Sequence, residues 1–289
     1  MEIAVISGKG GTGKSSITAA LASLHQGTLL ADCDVDAANM HILFNPEIEH
    51  EEVYIGAETA MIDYDKCTNC GLCSRYCRFD AISFVDMKIT INEVFCDGCH
   101  LCANVCPEKA IKMVKSDKSR LYSGNYRYGK MVYGILAPGE ENSGKLVNMV
   151  RDRAKQLAEE LSIPNIIIDG PPGLGCPVIS TITVVNHVIV VTEPTQSGLH
   201  DLIRTLQMTK EFHLKTWVII NKYDLNYDMS DKIEEFCNSE NIEVLTRISF
   251  DKDVVNAMVE CKTIPEYLKN SEINLKLKNS FDKLINYAE

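Results

Sequence analysis

Six short apolar runs rich in Val and Ile recur along the chain, at residues 2–7, 28–32, 165–169, 187–192, 216–221 and 242–248. Each is closed by a turn and followed by a stretch long enough for a helix. Their hydrophobicity is continuous rather than alternating, the pattern of strands buried on both faces. An α/β fold is therefore expected, with a mostly parallel sheet and helices on both faces. Between residues 63 and 116 the rhythm stops and a cysteine-dense segment takes its place. This predicts a small α+β domain inserted into a main domain made of residues 1–62 and 117–289. Lys115, Lys118 and Arg120 read as a solvated linker leading to a helix over about 142–161. Near the end, Leu275, Leu277, Phe281, Leu284 and Ile285 with interleaved lysines predict an amphipathic helix docked on the core rather than on a membrane.

The 289 residues carry a formal charge of -11, with 45% hydrophobic and 24% charged positions. That composition suits a folded globular chain, and the acidic surplus argues against nucleic acid as a partner. No run of eighteen apolar residues occurs and the first strand begins at once, so the protein is expected in the cytoplasm. Twelve cysteines in such a setting point to metal ligation rather than disulfides.

Directly after the first strand stand Gly8, Lys9, Gly10, Gly11, Thr12, Gly13, Lys14, Ser15 and Ser16, with helical sequence following. Glycines let backbone N–H groups curl around phosphates, Lys14 reaches the β and γ oxygens, and the Ser15 hydroxyl is placed for Mg²⁺. A second stretch, Gly139 to Leu146 through Glu140, Glu141, Asn142, Ser143, Gly144 and Lys145, fits most of the same pattern. Leu146 cannot ligate Mg²⁺ and the two glutamates repel phosphate, so it reads as a loop opening a helix. After another buried strand, Asn221, Lys222, Tyr223 and Asp224 spell NKxD, in which an Asp accepts from guanine.

The early second lysine, Lys9 in KGGTGKS, resembles the deviant phosphate loop of the MinD/ParA superfamily, which includes the nitrogenase iron protein and Mrp-type carriers. That resemblance implies a P-loop ATPase, slow and partner-stimulated, in which Lys9 crosses a nucleotide-bound homodimer to the partner's phosphates. By the same similarity the stretch Asp32 to Asp36 corresponds to switch I, with Asp34 orienting the attacking water and Asp36 assisting near Mg²⁺. Asp169, Gly170, Pro171, Pro172 and Gly173 correspond to Walker B with switch II, Asp169 holding Mg²⁺ through water. Members of this superfamily place an Asn against adenine where Asn221 stands. ATP is the expected nucleotide and GTP the alternative.

Cys67, Cys70, Cys73 and Cys77 recur 29 residues later as Cys96, Cys99, Cys102 and Cys106, and Ala81 and Ile82 recur as Ala110 and Ile111. Two Cys-x2-Cys-x2-Cys-x3-Cys runs are the spacing of a two-cluster 4Fe–4S ferredoxin, in which the fourth Cys of each run ligates the other cluster. One cluster is then expected on Cys67, Cys70, Cys73 and Cys106, the other on Cys96, Cys99, Cys102 and Cys77. Zinc knuckles pair their thiols at longer distance. Pro107 follows the bacterial ferredoxin pattern, and Arg78 stands where the first run would carry proline. Cys33, Cys237 and Cys261 are expected to pack as small apolar residues, and Cys176 as a buried or interface thiol. His25, His41 and His213 show no metal spacing.

The combined expectation is nucleotide-gated electron transfer, or iron–sulfur cluster handling for a redox or iron–sulfur partner protein. A positioning or scaffold ATPase with a redox-sensing ferredoxin segment is the alternative.

Overall fold

The computed structural model describes every residue of the chain except Gln26, Ala57, Glu141, Ala288 and Glu289. In chain order the elements are β1 (Glu2–Ser7), α1 (Lys14–Leu24), β2 (Thr28–Asp32), α2 (Met40–Phe44), β3 (Glu47–Tyr54), β4 (Glu58–Ile62), α3 (Leu72–Tyr76), β5 (Ile82–Val85), β6 (Lys88–Ile91), α4 (Leu101–Val105) and β7 (Ile111–Lys115). They continue as β8 (Ser119–Tyr126), β9 (Gly129–Ile135), α5 (Ser143–Glu160), β10 (Asn165–Pro172), α6 (Cys176–Ile182), β11 (His187–Thr192), α7 (Gln196–Glu211), β12 (Lys215–Asn221), α8 (Tyr227–Ser239), β13 (Glu243–Ile248), α9 (Lys252–Val259), α10 (Ile264–Tyr267) and α11 (Glu272–Tyr287).

Nine strands form one sheet in the order β13-β12-β11-β1-β10-β2-β9-β8-β3. From β13 to β9 all neighbours run parallel, while β8 and β3 are added antiparallel at one edge. Successive side chains point to opposite faces, so Ala4 and Ile6 join one hydrophobic core while Ile3 and Val5 join another across the sheet. The first core is closed by helices that include α5 and α7, the second by α1 and α11. This is the expected α/β architecture. Leu277, Phe281 and Leu284 of α11 are fully buried in the second core, so the terminal helix is docked.

Two small sheets, β4 with β7 and β5 with β6, lie in sequence between β3 and β8 and fit an inserted domain. A separate hydrophobic cluster of Ala60, Ile62, Cys73, Ile82, Ile89, Cys102 and Ile111 holds them together. The solvated linker is corrected: Lys115 ends β7, Lys118 ion-pairs with Glu93, and Arg120 lies in β8, its Nε donating to Glu51 Oε1 at 3.0 Å. Lys118 and Arg120 are thus engaged in ion pairs, and Arg120 stands in a strand hydrogen-bonded to β9 on one side and β3 on the other. Ser143 opens α5 and Leu146 is buried, as read for the second glycine-flanked stretch, of which Glu141 lies outside the described residues.

Candidate functional site

The phosphate loop joins β1 to α1 at the carboxyl end of the parallel strands. Gly11 and Gly13 take φ of +82° and +90°, a left-handed backbone that favours glycine, and Gly13 sits immediately ahead of the helix. Lys14 Nζ is buried and donates to Asp169 Oδ2 at 2.8 Å and to Ser15 Oγ at 3.1 Å, with Asp34 Oδ2 at 3.7 Å. Ser15 Oγ donates to Asp169 Oδ2 and Thr18 Oγ1 to Asp169 Oδ1, each at 2.8 Å. Asp169 at the end of β10 is thus the hub of the site.

Burial draws the Lys14 ammonium down in pKa, but Asp169, Asp34 and Asp32 overcome this and leave it raised. Burial also pushes up the Asp34 carboxyl against the pull of Lys14. Asp32, at the end of β2, accepts from the Asp34 and Met40 N–H groups at 3.1 and 3.2 Å. Burial, and then the Asp169 charge, push its carboxyl up to about 7. Asp36 is exposed in the turn that follows, and its charge adds to the upward push on the Asp34 carboxyl.

Lys9 lies against the segment after β11 and the first turn of α7. Its Nζ donates to Ser197 Oγ at 2.9 Å and Thr195 Oγ1 at 3.3 Å and pairs with Glu193 Oε1 at 2.8 Å. Lys222 Nζ meets the same carboxylate at 3.1 Å and donates to Gly11 O at 2.9 Å, while Asn221 Nδ2 donates to Thr12 O at 2.7 Å. The end of β12 therefore buttresses the loop. Beside it opens a cavity of about 160 Å³ lined by Ser16, Ile17, Asn221, Lys222, Ile248 and Phe250 among others. Asp224 does not line it; its Oδ1 accepts from the Phe250 N–H at 2.6 Å.

Within the cysteine-dense segment the thiols gather into two sets. Cys67, Cys70, Cys73 and Cys106 line one small cavity, and Cys77, Cys96, Cys99 and Cys102 line another. The short helices α3 and α4 bring this about: each carries the third thiol of its run inward, Cys73 and Cys102 being buried, and delivers the fourth to the other set. Backbone N–H groups of Ala60 and Ala110 donate to Cys96 Sγ at 3.5 Å and Cys106 Sγ at 3.3 Å. Among the described residues, no three His, Cys, Asp or Glu side chains converge as the ligands of a single ion do.

Cys176 is exposed at the start of α6, and Cys33 and Cys237 are buried. Cys261 is exposed, at a left-handed position after α9, and does not pack as a small apolar residue. His25 and His41 stack on Phe281 and Tyr133 with ring centroids 3.8 and 5.1 Å apart, and His213 caps a turn after α7. Thr18 and Asp32 are site residues the sequence reading did not assign. Thr18 stands one turn after Lys14, on the helix face that meets β10, and Asp32 opens the run of alternating acids.

Among known proteins, an uncharacterized protein of Methanocaldococcus jannaschii is 34% identical over 294 residues, covering 98% of this chain and 96% of that one. The pyruvate synthase subunit PorD of Methanothermobacter marburgensis is 42% identical over 52 residues, 18% of this chain and 60% of that protein. The septum site-determining protein MinD of Pyrococcus horikoshii, solved with Mg-ADP, shares the fold with a TM-score of 0.60 at 17% identity, covering 100% of this chain and 97% of that one. Residues 3–264 match the family model CbiA, described as the CobQ/CobB/MinD/ParA nucleotide binding domain. The chain belongs to this family of P-loop nucleotide-binding proteins.

Proposed function

We propose that the chain is an ATPase carrying two 4Fe–4S clusters, and that its nucleotide cycle gates electron delivery to, or cluster handling for, a partner protein. The observation that carries this reading is the exchange of fourth thiols. Cys106 stands with the first run and Cys77 with the second, each set enclosing space rather than meeting at a point. Eight soft donors spread around two cavities suit multi-iron cores better than single zinc ions. The kinship of a short segment with PorD supports the same reading. The inserted unit would run from β4 to β7, because those two strands pair with each other.

At the other site a triphosphate would lie on the N–H groups of the loop and the amino end of α1, with Lys14 on its oxygens. Ser15, Asp34 and Asp169 are the residues that would hold Mg²⁺, which neutralises charge at the β and γ oxygens when bound. Asp36, exposed two residues after Asp34, would assist near the metal. Asp34, whose carboxylate faces Lys14, would orient the attacking water. Asn221 beside this cavity supports adenine as the base, and the engagement of Asp224 with the Phe250 amide disfavours guanine. Lys9 would leave Glu193 to reach a second copy's phosphates in a nucleotide-bound homodimer.

Anaerobic purification tests this directly. Iron and acid-labile sulfide at about eight each per chain, together with slow Mg²⁺-dependent ATP turnover, are the expected results. About two zincs without iron, or no affinity for triphosphates, would refute the proposal.

A further inference from the structure

One short loop, residues 136–140, joins switch I to the second thiol set. At its start the Leu136 N–H donates to Val35 O at 2.9 Å, and Val35 follows the Asp34 that faces Lys14. Three residues on, Gly139 takes φ +80° and lies flat against Val94: a Cβ there would meet Val94 O at 2.6 Å and Val94 Cα at 2.9 Å. Val94 is two residues before Cys96, the first thiol of the second run and a member of the second set. Both sides of this contact are tied down, Glu140 accepting from Ser116 Oγ and Glu93 pairing with Lys118. Behind the loop, Tyr54 Oη donates to Asn142 O and Asn142 Nδ2 to Gly56 O, each at 2.9 Å. None of these contacts reaches the cavity of Cys67, Cys70, Cys73 and Cys106.

We infer that loop 136–140 is a coupling element through which nucleotide binding alters the surroundings of Cys96 and its thiol set in preference to the other set. Lys14 is shared between Asp169 and Asp34, and a triphosphate that claims Lys14 removes the partner of Asp34. Switch I then has a second arrangement available, and Val35 moves with it. Its carbonyl carries Leu136, and the bare Cα of Gly139 hands the shift to Val94 backbone to backbone, with no flexible side chain to absorb it. Two arrangements of one packed element are what coupling between distant sites requires. The inference deepens the proposed function and rests on its reading of Cys96 as a cluster ligand.

Hydrogen–deuterium exchange of the iron-loaded protein, with and without Mg²⁺ and a non-hydrolysable ATP analogue, tests it. Amides of residues 93–99 should change exchange rate by roughly five-fold or more, the low end of measured allosteric coupling, and those of 67–73 should not. In Gly139→Ala the response at 93–99 should vanish while iron content and nucleotide affinity persist. An unchanged rate at 93–99 with nucleotide bound, an equal response at both loops, or a response that survives Gly139→Ala would each overturn the inference. Should that variant fail to fold, the wild-type comparison decides alone. A chain lacking iron or nucleotide affinity would overturn the underlying reading as well, and is told apart by metal analysis and titration of the same sample.

Discussion

Replacing Lys14 by Met keeps the length of the side chain and removes its charge from a site 6% exposed. Asp169 would retain the Ser15 and Thr18 hydroxyls at 2.8 Å but lose its cation, as would Asp34 at 3.7 Å. Removing one partner of a buried pair costs about 3–5 kcal/mol, and the surviving hydroxyl bonds place this case near the low end, about 3 kcal/mol at pH 8. A proton can stand in for the lost ammonium. The Asp32 carboxyl is already raised to about 7 by burial and by Asp169, with Lys14 holding it down. A carboxyl with a raised folded pKa adds stability that is full below its ordinary value of 3.8 and is lost as pH rises through the folded value. Without Lys14 that loss moves to higher pH, so between pH 8 and pH 6 the variant regains more stability than wild type. One extra proton is about 1.4 kcal/mol per pH unit, so the deficit should shrink to about 2 kcal/mol at pH 6. Urea denaturation of nucleotide-free protein at the two pH values measures it, with a melting point lower by about 6–12 °C at pH 8 as a companion signal. A deficit below about 1 kcal/mol, or one that grows as pH falls, would refute the reasoning.

The exchanged thiols make a paired prediction: Cys106→Ser should leave the same residual EPR spectrum as Cys70→Ser, and Cys77→Ser the same as Cys99→Ser, each with about half the iron. Spectra that pair within each run instead would contradict the crossover. Gly13→Ala forces a side chain onto a φ of +90° and onto Asn221 Nδ2, breaking the bond to Thr12 O. At about 1–2 kcal/mol for the backbone alone, ATP affinity should fall roughly ten-fold by titration calorimetry. Arg127 Nη2 and Nε bind Glu266 at 2.9 and 2.5 Å, and the guanidinium also reaches Leu43 O and Cys261 O, so Arg127→Ala should cost about 2–3 kcal/mol. Burial alone would raise the Glu266 carboxyl, but Arg127, Tyr128 and the Thr263 amide bring it down to about 2. That stability is present above the ordinary carboxyl value of 4.5 and is lost as pH falls toward 2, so denaturation from pH 6 to pH 3 should be steeper in wild type than in the variant.

Much of the fold was legible because its central strands are buried on both faces. Residues 28–32 and 187–192 carry no polar alternation to confuse them with helix, and each ends at a turn. The antiparallel edge was not legible. β3 reads EIEHEEVY, exposed on nearly every residue, so neither burial nor period marks it as a strand, and its partner β8 was mistaken for linker through Lys118 and Arg120. At the phosphate site the loop and Asp169 were evident from order along the chain, since local spacing fixes a strand, a glycine-rich turn and a helix. The attachment of Lys9 to Glu193 and of Lys222 to Gly11 was not, because it depends on β11 lying beside β1 and β12 beside β11. The grouping of thiols was readable only through the two-cluster ferredoxin spacing, since the duplicated run by itself would keep each four together, whereas the contact of Gly139 with Val94 joins segments 45 residues apart and leaves no local trace.

The central claim is that the nucleotide cycle controls the clusters, and the rate of cluster reduction by dithionite under strict anaerobiosis tests it most directly. With Mg²⁺ and ATP the rate in wild type should differ from the nucleotide-free rate, and Lys14→Met should abolish the difference. Equal rates with and without ATP, in protein shown to hold both iron and nucleotide, would contradict the account.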